Sequence, residues 1–198
     1  QYVDISMSDA AMGLLPFVLN HFNQTGQAPK RGDFLLAHGY ACYNTYETAD
    51  GRAISVGALE AKFWAGLCTH LGVQEYIEHQ FDDSRREEIL DAFRSIFAQK
   101  TLAQWETELS SLDICCQGVR TVAEAMVRPH FKDRGISCLF SDVSGQLVPT
   151  LGLPVHLDHT PGNLRTRPAR FGEHTGKILQ ELGYLSDEVQ EMAEKGVI

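Results

Sequence analysis

Tyr43-Asn44-Thr45-Tyr46-Glu47-Thr48-Ala49-Asp50-Gly51-Arg52-Ala53-Ile54-Ser55-Val56-Gly57-Ala58-Leu59-Glu60-Ala61-Lys62-Phe63-Trp64 is the stretch from which the fold can be read. Tyr43, Thr45 and Tyr46 favour extended backbone. Asp50-Gly51 between two such runs is a hairpin signal, because glycine takes positive φ without a Cβ clash. Ala53-Ile54-Ser55-Val56 alternates and sets Ile54 and Val56 on one face. Gly57 breaks the run, and Leu59, Phe63, Trp64 and Leu67 then fall on one side of a helix. Glu60 therefore stands where a strand hands over to a helix, with its carboxylate near the positive helix end.

Upstream, Met7, Ala10, Ala11, Leu14, Leu15 and Val18 keep helical spacing to about Asn20, with Ser6 and Asp9 as a weak capping pair. Pro16 should kink that helix. So few charges lie on it that it is expected to be buried against another element. Asn23 to Asp33 lacks periodicity, contains two glycines and a proline, and reads as a linker at a domain boundary.

Downstream, the helix after Glu60 should run to about Leu71 and stop at Gly72. Ser84 and Glu87 read as a capping box for a helix with the stripe Ile89, Leu90, Phe93, Ile96 and Phe97. Thr101 and Gln104 cap a helix carrying Leu102, Trp105 and Leu109, and Thr121 and Glu124 cap a short one from Val122 to Val127, stopped by Pro129. Asp113 to Val119 and Ile136 to Phe140 read as strands, and Gln146 to Pro149 as the partner of the latter across a turn. Leu151 to Arg170, broken by prolines, reads as an extended return. Glu173-His174-Thr175 opens a helix to Leu182, and Ser186 caps a last one to about Glu194.

The 198 residues carry a formal charge of −9 and are 43% hydrophobic, enough for a core. Net negativity argues against non-specific nucleic-acid binding, which relies on neutralising phosphates. No apolar run approaches the ~20 residues of a membrane span, so neither a membrane nor a nucleic acid is an expected partner. The five cysteines fit neither a disulfide framework nor a zinc site and read as free thiols of a cytoplasmic protein. Cys115-Cys116 lies in an apolar run and reads as core. His156 and His159 lack an acidic or thiol partner at ligand spacing, so no metal is expected. Asp50 reads as a turn device rather than a catalyst.

Several segments, in order, resemble the family III (CaiB/BaiF) CoA-transferases, and the alpha-methylacyl-CoA racemase subgroup in particular. Tyr46 to Trp64 resembles their small-domain hairpin. Gln1-Tyr2-Val3-Asp4-Ile5-Ser6-Met7 resembles "GQ-x-VDVSL", Phe97 to Thr101 with Trp105 resembles "FA-x-KT…W", and His130 to Gly135 resembles "H-x-x-RG". Gly172-Glu173-His174-Thr175 with Leu182-Gly183-Tyr184 resembles "GEHT…LGY". The resemblance covers the C-terminal half of a family member, and the chain opens at Gln1 as if in mid-element, so a fragment is expected.

The resemblance implies an α+β fold in three parts: residues 1–32 as a helix and linker of a Rossmann-like large domain, residues 33–149 as the small domain, and residues 150–198 as a return segment with helices of the large domain. It implies an enzyme acting on acyl-CoA, with coenzyme A as part of the substrate and no separate cofactor, assembled as an interlocked homodimer with the N-terminal half. The first expectation is epimerisation of a 2-methylacyl-CoA, which needs an acid/base group on each side of the α-carbon and a stabilised enolate. The alternatives are transfer of CoA between carboxylic acids through an aspartyl intermediate, or an inactive module or split subunit. The family's Asp and the racemase His are expected upstream of Gln1. Glu60 matches the carboxylate of "GA-[IL]-E-P-x-F", although Ala61 replaces the proline. His38 and Tyr43, near the family's "GG-x-P-x-Y" segment, are the candidates for contact with the acyl group. Residue type alone favours a solvent-facing helix-end glutamate and a surface-loop histidine.

Overall fold

The computed structural model of the protein describes residues 2–198. The chain divides into two units, one ending at Val119 and one starting at Arg120.

In the first unit, α1 (Met7–Met12) is capped by Ser6, whose hydroxyl accepts the Asp9 N–H at 3.3 Å. The expected kink at Pro16 is instead a break, because Pro16 starts a separate helix, α2 (Pro16–Thr25), from its first-turn position, where a missing N–H costs nothing. Gly26 ends α2 at φ 70°, inside the stretch expected to be linker. Neither helix buries a residue, and Leu14, Phe17 and Leu19 lie exposed.

The strands β1 (Tyr43–Glu47) and β2 (Ala53–Gly57) form the expected hairpin, with Tyr46 opposite Ile54 and Thr45 opposite Ser55. Gly51 takes φ 68° in the turn, where its N–H reaches the Thr48 carbonyl at 2.9 Å. Tyr46, Ile54 and Val56 are buried on one face. The helix α3 (Ala61–Leu71) follows and ends at Gly72 in the left-handed conformation, as the glycine position indicates. A 3₁₀ turn (Gln74–His79), not marked by the sequence periodicity, leads to α4 (Arg86–Phe97).

Ser84 does not cap α4, contrary to expectation. Its N–H and hydroxyl both donate to Asp82 (2.9 and 2.6 Å), and the helix starts two residues later behind Arg85. A nearby aspartate outcompeted the helix end for the serine. The capping box of Thr101 and Gln104 does form, at the start of α5 (Leu102–Leu109). The strand β3 (Cys116–Gly118) joins the sheet antiparallel to β2, completing the order β1-β2-β3.

The core is aromatic. Trp64 stacks on Phe93 at 5.1 Å, Tyr46 on Phe97 at 5.0 Å, and Phe97 meets Trp105 edge-on. Each polar handle is satisfied: Trp64 Nε1–H donates to the Tyr76 carbonyl, Trp105 Nε1–H to that of Phe97, and Tyr46 O–H to that of Ala41. Among the described residues, every buried side chain lies between Ala41 and Cys116.

In the second unit, Thr121 and Glu124 box the start of α6 (Val122–Met126), and Pro129 opens α7 (Pro129–Asp133). The strands β4 (Ser137–Ser141) and β5 (Leu147–Leu151) pair across a turn tied by Asp142, whose carboxylate accepts the N–H groups of Ser144 and Gln146. After the extended segment come α8 (Thr175–Glu181) and α9 (Ser186–Glu194). Ser186 is the first residue of α9 rather than its cap; Glu188 closes the start by accepting the Leu185 N–H at 2.7 Å. Glu173 pairs with Arg167 and accepts the Arg170 N–H, which holds its carboxyl at about 2.

The architecture is α+β with small antiparallel sheets. No helix among the described residues is long and apolar enough to cross a membrane.

Candidate functional site

A sheet packed on one side exposes its alternate residues on the other. Because Ile54 and Val56 point into the core, Ser55 and Gly57 must point away from it, as do their partners Thr45 and Tyr43. Gln117 continues the outer row opposite Ser55, and Cys115 lies beside Gly57, whose N–H donates to the Cys115 carbonyl at 2.7 Å. These residues and His38 line a cavity of about 390 Å³.

Gly57 keeps the floor of that cavity low. A Cβ there would stand 3.8 Å from the Cys115 Cβ and 4.0 Å from the Tyr43 ring, so the glycine leaves room that a small side chain would fill without a clash.

His38 enters from the loop before β1. It has φ 66°, a conformation a non-glycine residue rarely adopts and one that clusters at functional sites. Asn44 holds it there: its side-chain amide donates to the His38 carbonyl at 3.0 Å, while its oxygen accepts the Thr45 N–H at 2.8 Å. The His38 Nε2 lies 3.2 Å from the Thr45 hydroxyl. The imidazole is thereby fixed over the outer face of the sheet.

Glu60 is the N-terminal flanking residue of α3, at φ −72° and ψ 137°. Its carbonyl accepts the N–H groups of Phe63 and Trp64, so the backbone is committed to the helix. Its side chain makes no cap, is exposed, and has no hydrogen bond or ion pair among the described residues. Gln80 steadies the approach: its amide donates to the carbonyls of Ala58 (3.0 Å) and Leu59 (2.8 Å). The result is a free carboxylate on a braced backbone.

The structure thus brings His38 and Tyr43 to one cavity and places Glu60 outside its lining, beyond the end of β2. The sequence reading missed Thr45, Ser55 and Gln117, whose outward positions on strands look like ordinary solvated ones. It also misplaced half of the cysteine pair. Cys116 is buried as expected, but Cys115 is exposed, because neighbouring residues near a strand face opposite sides. Burial pushes the Cys116 thiol up to about 12. No group of three His, Cys, Asp or Glu side chains among the described residues could hold a metal ion.

The sequence profile of CoA-transferase family III matches residues 1–175. The chain belongs to CoA-transferase family III. It is 30% identical over 194 residues to the alpha-methylacyl-CoA racemase of Mus musculus, a match that covers 97% of this chain and 50% of the relative. It is likewise 30% identical over 202 residues to that of Homo sapiens, covering 100% of this chain and 51% of the relative. The chain therefore spans about half the length of these relatives. A crystal structure of a CAIB/BAIF family protein from Brucella suis shares the fold, with a TM-score of 0.66 and 23% identity, over 92% of this chain and 48% of that one. In this family III chain, the hairpin, the Glu60 junction and the outer sheet face all lie within the residues matched by the family.

Proposed function

We propose that this chain forms the small-domain side of an acyl-CoA epimerase of the alpha-methylacyl-CoA racemase type. The observation that carries the reading is Glu60, a carboxylate without a partner on a backbone braced at a strand–helix junction, in a chain 30% identical to such racemases. Glu60 serves as one of two acid/base groups. As a carboxylate it takes the α-proton of one enantiomer; as a carboxylic acid it returns a proton to that face when the opposite enantiomer reacts. The second acid/base group and the donors that stabilise the enolate oxygen come from an upstream half, and the working enzyme is a homodimer. Coenzyme A is held chiefly by that other half and belongs to the substrate. His38 and Tyr43 contact the acyl group. The apolar surface of α1 and α2 supports a partner half, since among the described residues Leu14, Phe17 and Leu19 lie exposed.

A second reading, transfer of CoA to a carboxylic acid, is favoured by the family's name and by Ala61 in place of the proline of the racemase motif. In that case Glu60 has no chemical step.

The test is solvent deuterium incorporation at the α-carbon of a 2-methylacyl-CoA by the assembled enzyme. Glu60→Gln should reduce it by about a hundredfold or more, with folding unchanged. Undiminished exchange in that variant overturns the role of Glu60. An aspartyl thioester of the enzyme trapped by hydroxylamine during CoA transfer to a free acid establishes the second reading.

A further inference from the structure

The Arg134-Gly135 turn that ends α7 has no part in the epimerase reading, yet it forms one wall of a second cavity. That cavity has a volume of about 380 Å³, within the range of small-ligand sites, and its lining comes wholly from the second unit. The other walls are β4, at Cys138, Leu139 and Phe140, and the stretch between Gly152 and Leu164.

These walls are tied to one another. The Gly135 N–H donates to the Lys132 carbonyl and the Ile136 N–H to that of Phe131, both at 2.8 Å, which closes the turn. The Gly152 N–H then donates to the Ile136 carbonyl at 2.9 Å. A Cβ on Gly152 would stand 1.9 Å from the Gly135 carbonyl oxygen, so only glycine lets the end of β5 approach the turn. The backbone that carries Arg134 is thereby fixed before any ligand arrives.

The unused polar capacity of the lining side chains is that of donors. None of the lining residues is Asp or Glu. Arg134 supplies a guanidinium and His156 an imidazole, and neither side chain has a hydrogen bond, ion pair or ring contact among the described residues. The Asn163 amide oxygen accepts the Arg165 Nε–H at 3.3 Å, which leaves the amide N–H groups unengaged. The Cys138 thiol is already directed at the Thr150 carbonyl, at 3.7 Å. The complement of such a lining is an acceptor without protons to give, an anion. A guanidinium pairs with carboxylate or phosphate through two parallel hydrogen bonds. The remaining surface is hydrocarbon, from Leu139, Phe140, Leu153, Leu157 and Leu164, which a bare inorganic ion would leave unused.

We infer that this cavity binds an amphiphilic anion, a single carboxylate or phosphate on a short hydrocarbon body, with Arg134 and Asn163 taking the acid group. None of its residues is among those proposed to meet the acyl-CoA, so the inference stands or falls without that reading.

The test is a ¹⁵N NMR titration of the full chain, following the amides of Leu139, Leu153 and Leu164. The probes are octanoate, octyl phosphate, octanol, acetate and inorganic phosphate. Octanoate or octyl phosphate should saturate these shifts at concentrations about tenfold or more below octanol, the value of a charge-assisted hydrogen bond. They should also bind about a hundredfold or more tighter than acetate or inorganic phosphate, from the methylenes they bury. The tighter of the two octyl anions identifies the acid group. Arg134→Gln should weaken octanoate about tenfold and leave octanol unchanged. Asn163→Asp keeps the acceptor for Arg165 and sets a like charge against the ligand, so it should weaken the anions by a similar factor. A backbone nuclear Overhauser contact between the paired residues Cys138 and Thr150 checks that the β4–β5 wall is present in the sample. Octanol binding as tightly as the octyl anions overturns the inference, and so does equal binding of the head groups alone. So do unweakened octanoate binding in either variant, no binding by any probe, or absence of the Cys138–Thr150 contact. None of these results bears on Glu60.

Discussion

The carboxylate of Asp50, in the first hairpin turn, accepts the backbone N–H of Leu102 at 3.1 Å, fifty-two residues away. It also accepts the Thr48 hydroxyl at 2.6 Å. One side chain therefore closes the β1–β2 turn and satisfies a free donor at the start of α5. These contacts, the Thr48 hydroxyl foremost and then backbone N–H groups, hold the Asp50 carboxyl below its ordinary 3.8.

Substituting Asp50 should therefore lower Tm by a few degrees, more for Asp50→Ala than for Asp50→Asn, which keeps an acceptor. The pH dependence has a defined sign. A depressed folded-state pKa adds stability above the unfolded value, and that contribution is lost as pH falls through the folded value. Thermal melts from pH 5 downward should show a shallower acid decline for Asp50→Asn than for the parent chain.

The Gln80 brace predicts a different ranking. Gln80→Ala loses two donated hydrogen bonds and should cost about 1–3 kcal/mol in urea unfolding. Gln80→Glu should cost more at neutral pH, since a carboxylate cannot donate and would face the carbonyls of Ala58 and Leu59. If the Glu variant were the more stable of the two, the amide would not be acting as the donor.

At position 38 the usual order of glycine and alanine should reverse. Glycine normally weakens a chain, but at φ 66° it relieves the clash that a Cβ creates. His38→Gly should be more stable than His38→Ala by about 1 kcal/mol, measured by denaturant unfolding. The alanine variant keeps the strain and loses the contact with Thr45.

Thiol chemistry separates the two faces of the sheet. Native protein at pH 7.5 should lose Cys115 to iodoacetamide first. Cys42, Cys68 and Cys116 should react only after unfolding, with burial pushing the Cys68 and Cys116 thiols up to about 12. Intact mass and peptide maps before and after denaturant would show this division.

The features legible in the sequence were those set by neighbouring residues. Asp50-Gly51 made its turn, Gly72 ended α3, and the boxes at Thr101 and Thr121 formed, because each depends on groups within four residues. The stripes of α3, α4 and α5 reached the core for the same reason. Competition and distance hid the rest. Ser84 had two possible partners and took Asp82. The pairing of Ser55 with Gln117 joins segments sixty-two residues apart, with no local mark. The cavity follows from that pairing, so Thr45 and Gln117 could not be told from ordinary solvated strand positions, whereas His38 and Tyr43 were reachable through the family resemblance. The place of Glu60 at the strand–helix junction was legible from the break at Gly57 and the helical spacing after it.

The confinement of buried side chains to Ala41–Cys116 has a calorimetric consequence. Heat absorbed on melting follows the amount of packed interior, at about 0.7 kcal/mol per residue near 60 °C. A 198-residue protein packed throughout would absorb about 140 kcal/mol, whereas this chain by itself should absorb about 50 kcal/mol in one sharp peak. The remaining residues should add a broad, shallow signal, and association with a partner that covers α1 and α2 should move those helices' share, about 10 kcal/mol, into the peak.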